Sequence, residues 1–363
     1  MAPPVLGILT LYLNEGRALE ERPIYEKMTI AGQQLGLQVF VFTPQDVNYS
    51  KNRIHALFFN PKNKTWKRKW TSLPHAIYDR CRLQKSHRFQ QLLKFRSHYR
   101  HLKFLNKPLR NKWTVHTTLN KDEQFKPYLP VTKYVSSTSD VTNMLRKFSI
   151  VYMKPISGTG GRGILRIERL KSGLYYVQGR DQQRKIIRPR RVTLAALITF
   201  ISSWNLKSTR YIAQQGIQLK LDNGRVHDYR MLVQKNDEGK WQITGCAGRV
   251  GAQGSITSNL HGGGKAVPME KLLREWINDE SSISSIKEEA ERFGVDAAQF
   301  LEKSYGSLCE LAFDIAIDRN GHIWMIEVNP KPAREVFIQA GETEVYQKAI
   351  TNPLKYALWC IKK

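Results

Sequence analysis

One segment near the C-terminal end, LAFDIAIDRNGHIWMIEVNPKP at positions 311–332, constrains the fold more than any other part of the chain. Two runs with the alternation of β-strands flank Asn320 and Gly321, and Asn-Gly is the strongest short signal for a hairpin with a two-residue type I′ turn. Counting back along both strands from that turn predicts that Asp314 lies directly opposite Glu327.

The predicted opposition of Asp314 and Glu327 requires a compensating positive charge. Directly opposed residues have Cβ atoms roughly 5 Å apart, and like charges there are unfavourable. Asn329 lies two residues beyond Glu327, so the period-two pleat places it on the same face. Two carboxylates and an amide carbonyl form an all-oxygen set, which suits Mg²⁺ shared with substrate phosphates better than Zn²⁺ or copper. The pattern therefore predicts a Mg²⁺ site; a solvated hairpin face with ordinary acids is the alternative.

A glycine-rich loop follows a second apolar run, SIVYMKPISGTGGRGI at positions 149–164. Glycines adopt positive φ without cost and have no Cβ, so successive backbone N–H groups can converge on a polyphosphate. The spacing also fits G-x-G-x-x-G, but a dinucleotide site needs a helix after the loop, whereas positions 164–178 have the pattern of strand, turn, strand. Kinase and P-loop motifs are absent from the sequence. A flexible glycine turn is the alternative interpretation.

Composition narrows the class of protein. The 363 residues suffice for two or three domains, and the four cysteines form no C-x-x-C, which argues against a disulfide framework and a zinc site. The N-terminus lacks the pattern of a signal peptide. No apolar stretch approaches the roughly 18 to 20 residues of a membrane span. A soluble, cytoplasmic protein with reduced thiols is therefore expected.

The net charge of +27 is unevenly distributed. Basic residues recur throughout positions 51–112, where Asp79 is the only acid, and such a field attracts an acidic partner. Aromatic residues interleave with these charges, which is compatible with nucleic-acid binding. However, Leu92, Phe95 and Tyr99 have helical spacing, which favours the core side of an amphipathic helix. Nucleic acid is therefore the less favoured partner.

Three regions can be distinguished along the chain. Residues 1 to about 105 begin with strand, helix, strand, which predicts a small α/β domain. Residues 106 to about 212 contain a helix near Lys112, the glycine-loop hairpin, and a helix predicted to begin near Ser139 or Asp140. From about 213 to 363, hairpin turns at 236–239 and 318–321 predict an antiparallel sheet, with a helix through 288–305. The predicted fold class is α+β with an α/β N-terminal part.

The order of these features resembles the ATP-grasp superfamily. The resemblance rests on the lysines at 112 and 154, the glycine loop, a Q-Q-G-I linker at 214–217, a D-x-R pair, an arginine strand, the loop N-L-H-G-G-G at 259–264, and D-x12-E-x-N. Within that superfamily, YIAQQGIQL, GCAGRVG and LAFDIAIDRNGHIWMIEVNPKPAR resemble the endospore coat-associated YheC/YheD family. The resemblance covers the chain well from about 105 onward and only loosely before that.

The resemblance implies a fold and an activity. We expect two α+β subdomains, 106–212 and 213–363, that clasp ATP, preceded by a smaller pre-ATP-grasp-like domain at 1–105. The implied reaction is ATP-dependent activation of a carboxylate, followed by attack of an amine or similar nucleophile on an acyl phosphate. The substrate would be an acidic small molecule, peptide or protein. The spore coat or the forespore is implied by the resemblance alone.

Individual roles are also implied by the resemblance. Positions expected to bind ATP are Lys112, Lys154, Gly158, Gly160, Gly161, Gly163, Gln214, Gln215 and Ile217. The expected Mg²⁺ ligands are Asp314, Glu327 and Asn329. Lys154, Arg230 and Arg249 are the expected catalytic residues, because cations stabilise a phosphoryl group in transfer. The expected substrate-binding residues are Asn259, Gly262, Gly263, Lys331 and Arg334.

Alternatives stay open for several of these residues. Lys112 could instead be a solvated surface lysine. The linker could be an ordinary core strand, and Arg230 could form a buried ion pair with Asp228. For the whole chain, the alternative is a catalytically silent, basic scaffold that keeps the fold and binds an anionic spore-coat layer or polymer.

Overall fold

The computed structural model describes residues 2–82, 86–109, 111–158, 161–204, 206, 209–260, 263–277 and 279–363. The described residues form three sheets, which draw their strands from residues 5–79, 132–215 and 227–329. One strand, Tyr211–Gln215, crosses the predicted boundary at 212 and belongs to the second sheet. Within the described residues, no helix has the length and apolar character that a membrane crossing needs.

The N-terminal part of the chain forms a mixed sheet. Its strands are β1 (Val5–Leu9), β2 (Gln38–Phe42), β3 (Val47–Asn48), β4 (Arg53–Asn60), β5 (Thr65–Ser72) and β6 (Ala76–Asp79), and its helices are α1 (Arg22–Gln34) and α2 (His87–His98). The spatial order is β3-β4-β2-β1-β6, with β5 paired to β4. Strand β1 is parallel to both β2 and β6, and α1 connects β1 to β2. The predicted βαβ-like opening is therefore confirmed.

The basic segment at 51–112 contributes to this folded domain. Leu92 and Phe95 on α2 are fully buried, and Tyr99 just beyond it is almost so. The expectation of core packing is confirmed for these three side chains. Trp70 differs: it is 51% exposed and stacks on His55 with ring centroids 4.9 Å apart.

The second sheet is antiparallel. Its strands are β7 (Thr132–Val135), β8 (Ile150–Pro155), β9 (Ile164–Arg169), β10 (Tyr175–Arg180), β11 (Ile186–Val192) and β12 (Tyr211–Gln215), and the helices of this region are α3 (Lys112–Leu119), α4 (Thr138–Lys147) and α5 (Leu194–Ser202). The order is β11-β10-β9-β8-β12-β7. Strands β8 and β9 flank the glycine loop, and β9 pairs with β10, so the predicted strand, turn, strand is confirmed.

The N-terminus of α4 lies at Ser137 rather than at Ser139 or Asp140. The Asp140 carboxylate accepts a hydrogen bond from the backbone N–H of Ser137 (2.9 Å), and the Ser137 side chain caps the helix in return. This is a capping box, in which the acid occupies the third helical position and not the cap itself. The predicted start was therefore wrong by a few residues.

The third sheet is antiparallel as predicted. Its strands are β13 (His227–Lys235), β14 (Trp241–Val250), β15 (Lys265–Pro268), β16 (Glu310–Ile317) and β17 (Ile323–Asn329), and its helices are α6 (Met269–Ile277), α7 (Glu280–Tyr305), α8 (Glu335–Gln339) and α9 (Thr343–Lys362). The order is β15-β14-β13-β16-β17, and both predicted hairpins are present. Helix α7 begins well before position 288, because Asp279 caps it by accepting the N–H of Ser281.

Two apolar cores hold the first and third sheets. One core contains Trp276, Phe293 and Phe313, where α6 and α7 pack on the third sheet. The other joins Met28 of α1 to Leu354 of α9, so the C-terminal helix packs against the N-terminal domain as well as against β13. Burying a side chain such as Leu or Met stabilises by roughly 1.5–3 kcal/mol. The first and third sheets are therefore parts of one packed unit.

Candidate active site

The hairpin of β16 and β17 has the predicted pairing but not the predicted turn. Asp314 pairs with Glu327, as expected. The loop, however, has three residues: the N–H of Asp318 donates to the carbonyl of His322 (3.0 Å), and within this loop only Gly321 has a positive φ, of 82°. A type I′ turn needs positive φ at both central residues, so that prediction was wrong.

A bulge in β17 restores the register that the longer loop would have shifted. Asp314 pairs with Glu327 but Ile315 pairs with Met325, which leaves Ile326 as an extra residue. A bulge re-aims the side chains next to it. Here the two departures from the simple hairpin cancel, and the two carboxylates still face each other.

Arg230 and Arg249 supply the positive charge beside Asp314. Arg230, opposite Asp314 on β13, donates from Nε (2.7 Å) and from its second amino group (2.9 Å). Arg249 reaches the same carboxylate at 3.1 Å and binds Asp228 at 2.7 and 2.6 Å. The alternative pairing of Arg230 with Asp228 is therefore wrong. Burial alone would raise the pKa of Asp314, but the two guanidinium groups lower it to about 2.

Two lysines lie across the cleft from this hairpin. Lys112, at the start of α3, donates to the Gly158 carbonyl at 2.7 Å and lies 3.2 Å from a Glu327 carboxylate oxygen. Lys154, on β8, donates to the side-chain oxygen of Gln214 at 2.8 Å. Burial lowers the pKa of Lys154 to about 8, and Glu327 partly offsets this effect. Both ammonium groups are therefore held at one site and not dispersed on the surface.

The glycine loop requires glycine at several positions. Gly158, Gly161 and Gly163 have φ values of 147°, 71° and 63°. A Cβ at Gly161 would lie 3.2 Å from the Asn259 side-chain nitrogen, so the loop lies close to the segment that carries Asn259. The left-handed region costs other residues roughly 1–2 kcal/mol. The predicted Gly160 lies outside the described residues.

A single central cleft brings most of the predicted residues together. It lies between the second and third sheets and holds about 1050 Å³ of empty space, open solvent at its mouth included. That size is comparable with small-molecule sites in general. The predicted residues that line it are Lys112, Lys154, Gly158, Gly161, Gln214, Gln215, Ile217, Arg230, Arg249, Asn259, Asp314, Glu327 and Asn329.

Other predicted residues lie elsewhere. Gly163 and Gly263 do not line the cleft, and Gly262 lies outside the described residues. Lys331 lines a second pocket next to the cleft. Arg334 is 1% exposed and donates to Glu310 at 2.6 Å, so its guanidinium is enclosed in the interior and does not line the cleft where a substrate would bind.

Several residues that line the cleft were not predicted. Tyr152 lies two residues before Lys154 on β8, so the period-two pattern would have placed it on the same face. Arg162 lies between two glycines of the loop. His227 is buried, its Nδ1 lies 2.9 Å from the Leu219 carbonyl, and burial lowers its pKa to about 4. No local pattern identifies His227, because its position depends on the tertiary fold.

The donor set of the cleft fits Mg²⁺ and ATP. The Asn329 side chain donates to Asp314 at 3.4 Å, which places its amide beside the two opposed carboxylates. Among the described residues there is no cluster of three or more His, Cys, Asp or Glu side chains for a metal. Mg²⁺ is typically held by one or two carboxylates together with phosphate oxygens and water, so this sparse oxygen set suits it.

The fold and the cleft define a class of protein. Solved structures align with nearly the whole chain at low sequence identity, which shows a shared fold, and some of them are described as ATP-grasp ligases. They include D-cycloserine synthetase DcsG (TM-score 0.57, 11% identity, 99% of each chain). Another is macrocyclase MdnC of Microcystis aeruginosa MRC, bound with its precursor peptide (0.55, 13%, 99% of this chain and 100% of that one). A third is D-alanyl-alanine synthetase A of Vibrio cholerae (0.54, 12%, 98% and 99%). The chain therefore has the predicted ATP-grasp fold.

The sequence assigns the chain more narrowly. The family described as YheC/D like ATP-grasp matches residues 101–360, and the chain belongs to that family. The chain is 27% identical over 367 residues to the endospore coat-associated protein YheD of Bacillus subtilis (strain 168), covering 99% of this chain and 79% of that protein. It is also 27% identical over 332 residues to YheC of the same organism, covering 89% and 88%. The expected resemblance is confirmed.

Proposed function

We propose that the protein is an ATP-dependent ligase that joins a carboxylate to an amine or similar nucleophile. The observation that supports this most is the geometry of one cleft: Asp314, Glu327 and Asn329 face the ammonium groups of Lys112 and Lys154. Oxygen ligands for a metal beside cations for phosphates are the parts that phosphoryl transfer requires.

ATP would bind between the two sheets. Lys112 and Lys154 would bind its phosphates, because a compact ammonium suits that contact. The glycine loop would close over them through its backbone N–H groups. Next to Lys154, adenine would lie against Gln214, Gln215 and Ile217 of the linker, all of which line the cleft.

Asp314, Glu327 and Asn329 would hold Mg²⁺. When bound, Mg²⁺ would neutralise negative charge that develops on the phosphates. Arg230 and Arg249 already bind the Asp314 carboxylate, so they lie beside the same site and can donate to the phosphoryl group. Lys154 would complete this catalytic set by holding a proton and a positive charge on its Nζ.

The proposed reaction has two steps. A carboxylate oxygen attacks the γ-phosphorus of ATP, the bond to the bridging oxygen breaks, and ADP leaves. The amine then attacks the carbonyl carbon of the acyl phosphate, phosphate leaves with the bonding electrons, and the amine loses a proton. Positioning and charge neutralisation supply most of the rate in such transfers. Asn259, which lines the cleft, would contact the phosphate or the substrate.

A role in the spore coat is part of the proposal. The two Bacillus subtilis relatives are named endospore coat-associated proteins. We extend that association to this chain, acting from the cytoplasm or forespore on an acidic small molecule, peptide or protein.

The test is ATP turnover by a Glu327→Gln variant. We expect ADP release to fall to background while the free energy of unfolding changes by about 1 kcal/mol or less, because the partly exposed ion pair of Glu327 with Lys112 lies in the open cleft. Glu344→Gln, at an exposed position on α9, is the matched control and should turn over ATP normally. Normal turnover by folded Glu327→Gln would refute the metal assignment.

A second candidate function, a basic scaffold, is favoured by the hairpin of β4 and β5. Lys62, Lys64, Lys67 and Lys69 are exposed there, and none forms an ion pair with a described residue. If the protein is a scaffold, it should bind poly-glutamate without ATP, and this binding should weaken steeply as the salt concentration rises. The Glu327→Gln variant should bind poly-glutamate as tightly as the wild type. ADP release by the wild-type protein would favour the ligase.

A further inference from the structure

A second pocket adjoins the central cleft and holds about 1250 Å³ of empty space, open solvent included. It shares Lys112, Glu327 and Asn329 with the cleft, so it opens directly onto the proposed reaction centre. On its other side it reaches Arg96 of α2 and Lys331, just after β17. A molecule in this pocket would thus lie between the proposed metal ligands and a second group of cations.

Apolar side chains line the middle of the second pocket. Phe89 lies on α2, Leu109 and Val115 lie just before and within α3, and Met325 and Val328 lie on β17. Such surfaces favour an apolar body in the ligand. The pocket therefore combines two groups of polar residues with an apolar lining.

At the far end, two cations share a single buried acid. Asp79 is 1% exposed; Lys331, 7% exposed, binds one of its oxygens at 2.6 Å, and Arg96 binds the other at 2.6 and 2.8 Å. Two positive charges face one negative charge, which leaves an excess of one. Both cations also keep N–H groups that Asp79 does not use, since lysine has three donors and arginine five. This end of the pocket is thus suited to one further anionic group.

The position of Asp79 in the fold independently supports a ligand site at this end of the pocket. Asp79 is the last residue of β6, which is parallel to β1 in the N-terminal sheet. In open α/β sheets, ligands bind outside the carboxyl ends of the parallel strands. Cys81 and Arg82, which follow β6, also line the second pocket.

We propose that the second pocket binds the carboxylate substrate, and that this substrate is a dicarboxylic acid with an apolar body. One carboxylate lies at Lys112, Glu327 and Asn329 for activation, and Lys331 and Arg96 bind the other. The excess of a single positive charge matches a carboxylate better than a doubly charged phosphate. Residues 327 and 331 are four apart, so their Cα atoms are at most about 14 Å apart, which suits a small acid or the end of a peptide. This inference rests on the proposed ligase function.

Matched pairs of probes test the proposal by calorimetry, with and without a non-hydrolysable ATP analogue and Mg²⁺. One pair is benzylsuccinate and its monoamide; the other is N-acetyl-phenylalanyl-glutamate and N-acetyl-phenylalanyl-glutamine. The members of each pair have nearly the same shape and differ by one charge. We expect at least one diacid to bind about tenfold or more tightly than its amide partner, which corresponds to about 1.4 kcal/mol.

Substitutions at the two cations test whether they cause the preference for the diacid over its amide. Lys331→Met and Arg96→Met should each lose most of it, Lys331→Arg should keep it, and the exposed Lys348→Met is the control that should behave as wild type. Affinity for the ATP analogue reports whether each variant is folded. If neither diacid is preferred, or if both methionine variants keep the preference, the proposal is wrong. If the proposed ligase function is wrong, the wild-type protein should show no Mg²⁺-dependent binding of the ATP analogue. The preference for the diacid can still be measured in that case, because the titration is also made without nucleotide.

Discussion

At the scale of the residue, Asp314 and Lys154 have opposite electrostatic environments. Burial alone would raise the pKa of Asp314, but Arg230 and Arg249 lower it to about 2, so the carboxylate is ionised at neutral pH. Lys154 forms no comparable ion pair with any residue that the structure describes, and burial lowers its pKa to about 8. One group is therefore fixed in its charged form, whereas the other titrates close to neutral pH.

The lowered pKa of Lys154 predicts a pH dependence of ATP binding. Phosphates bind the ammonium form, and the free protein loses that proton as the pH rises through about 8. Affinity for a non-hydrolysable ATP analogue should then be steady near neutral pH and fall by up to about tenfold per pH unit above pH 8. Calorimetry from pH 7 to about pH 9.5 measures this fall. Lys154→Arg keeps its charge and should remove the fall; an unchanged affinity of the wild type up to the same pH would argue against a phosphate contact by Lys154.

At the scale of the element, the glycine loop between β8 and β9 depends on backbone conformations that other residues avoid. Gly161 has φ 71° and lines the cleft, whereas Gly173, in the next turn of the same sheet, has φ 77° with nothing within 4 Å of an added Cβ. The two positions thus share a left-handed backbone conformation but differ in what they face.

Because of this difference, substitutions at the two glycines can distinguish an effect on stability from an effect on the proposed role of the loop as a lid over ATP. Gly161→Ala and Gly173→Ala should each lower the free energy of unfolding by about 1–2 kcal/mol, because both force alanine into the left-handed region. Only Gly161→Ala should weaken ATP-analogue binding, by roughly tenfold or more, since small misplacements at a reacting site have large effects. Urea unfolding and calorimetry give the two quantities. Equal ATP affinities for the two variants would contradict a direct role of the loop.

Elements with strong local patterns could be predicted from sequence. The hairpins, the opening βαβ unit and the opposition of Asp314 and Glu327 follow from alternation and turn residues. The three-residue loop and the compensating bulge at Ile326 could not be predicted, because register near a bulge depends on packing. Helix α9 was not predicted either: Pro353 lies inside it, and proline normally interrupts a helical pattern.

At the scale of the whole molecule, a buried ion cluster ties the N-terminal domain to the third sheet. Glu310 on β16 is fully buried and binds Arg80, just after β6, at 2.5 Å, and Arg334 at 2.6 Å. Tyr78 of β6 also donates to it. Burial alone would raise the pKa of Glu310, but Arg334 and Arg80 lower it. The cluster joins residues more than 200 positions apart, so no local pattern in the sequence reveals it.

Neutralising Glu310 should destabilise the assembled chain. In Glu310→Gln, Arg80 and Arg334 lose their shared buried counter-charge, and breaking a buried pair in this way costs about 3–5 kcal/mol. Tryptophan fluorescence during urea unfolding measures the loss. Glu280→Gln, which disrupts an exposed ion pair with Arg274, is the control and should leave the free energy of unfolding close to that of the wild type, because solvent screens exposed charges. If both variants unfold alike, the cluster does not hold the two sheets together.

In the cleft too, local sequence patterns identify some residues but not the contacts between distant segments. The opposed carboxylates, the lysines and the arginines of the cleft could be placed from sequence because each lies in a short motif. The pairing of Asp79 with Lys331 could not, because it connects the end of β6 to the segment after β17, 252 positions away. Such contacts depend on how whole domains pack, and periodicity within a segment carries no information about them.

The dependence of nucleotide affinity on Mg²⁺ tests the central claim most directly. Calorimetry with a non-hydrolysable ATP analogue, with and without Mg²⁺, would compare the wild type, Glu327→Gln and the control Glu344→Gln. We expect Mg²⁺ to tighten binding by about tenfold or more in the wild type and the control, and to have little effect in Glu327→Gln, which lacks a charged ligand. An equal effect of Mg²⁺ on all three proteins would contradict a metal site at Asp314, Glu327 and Asn329.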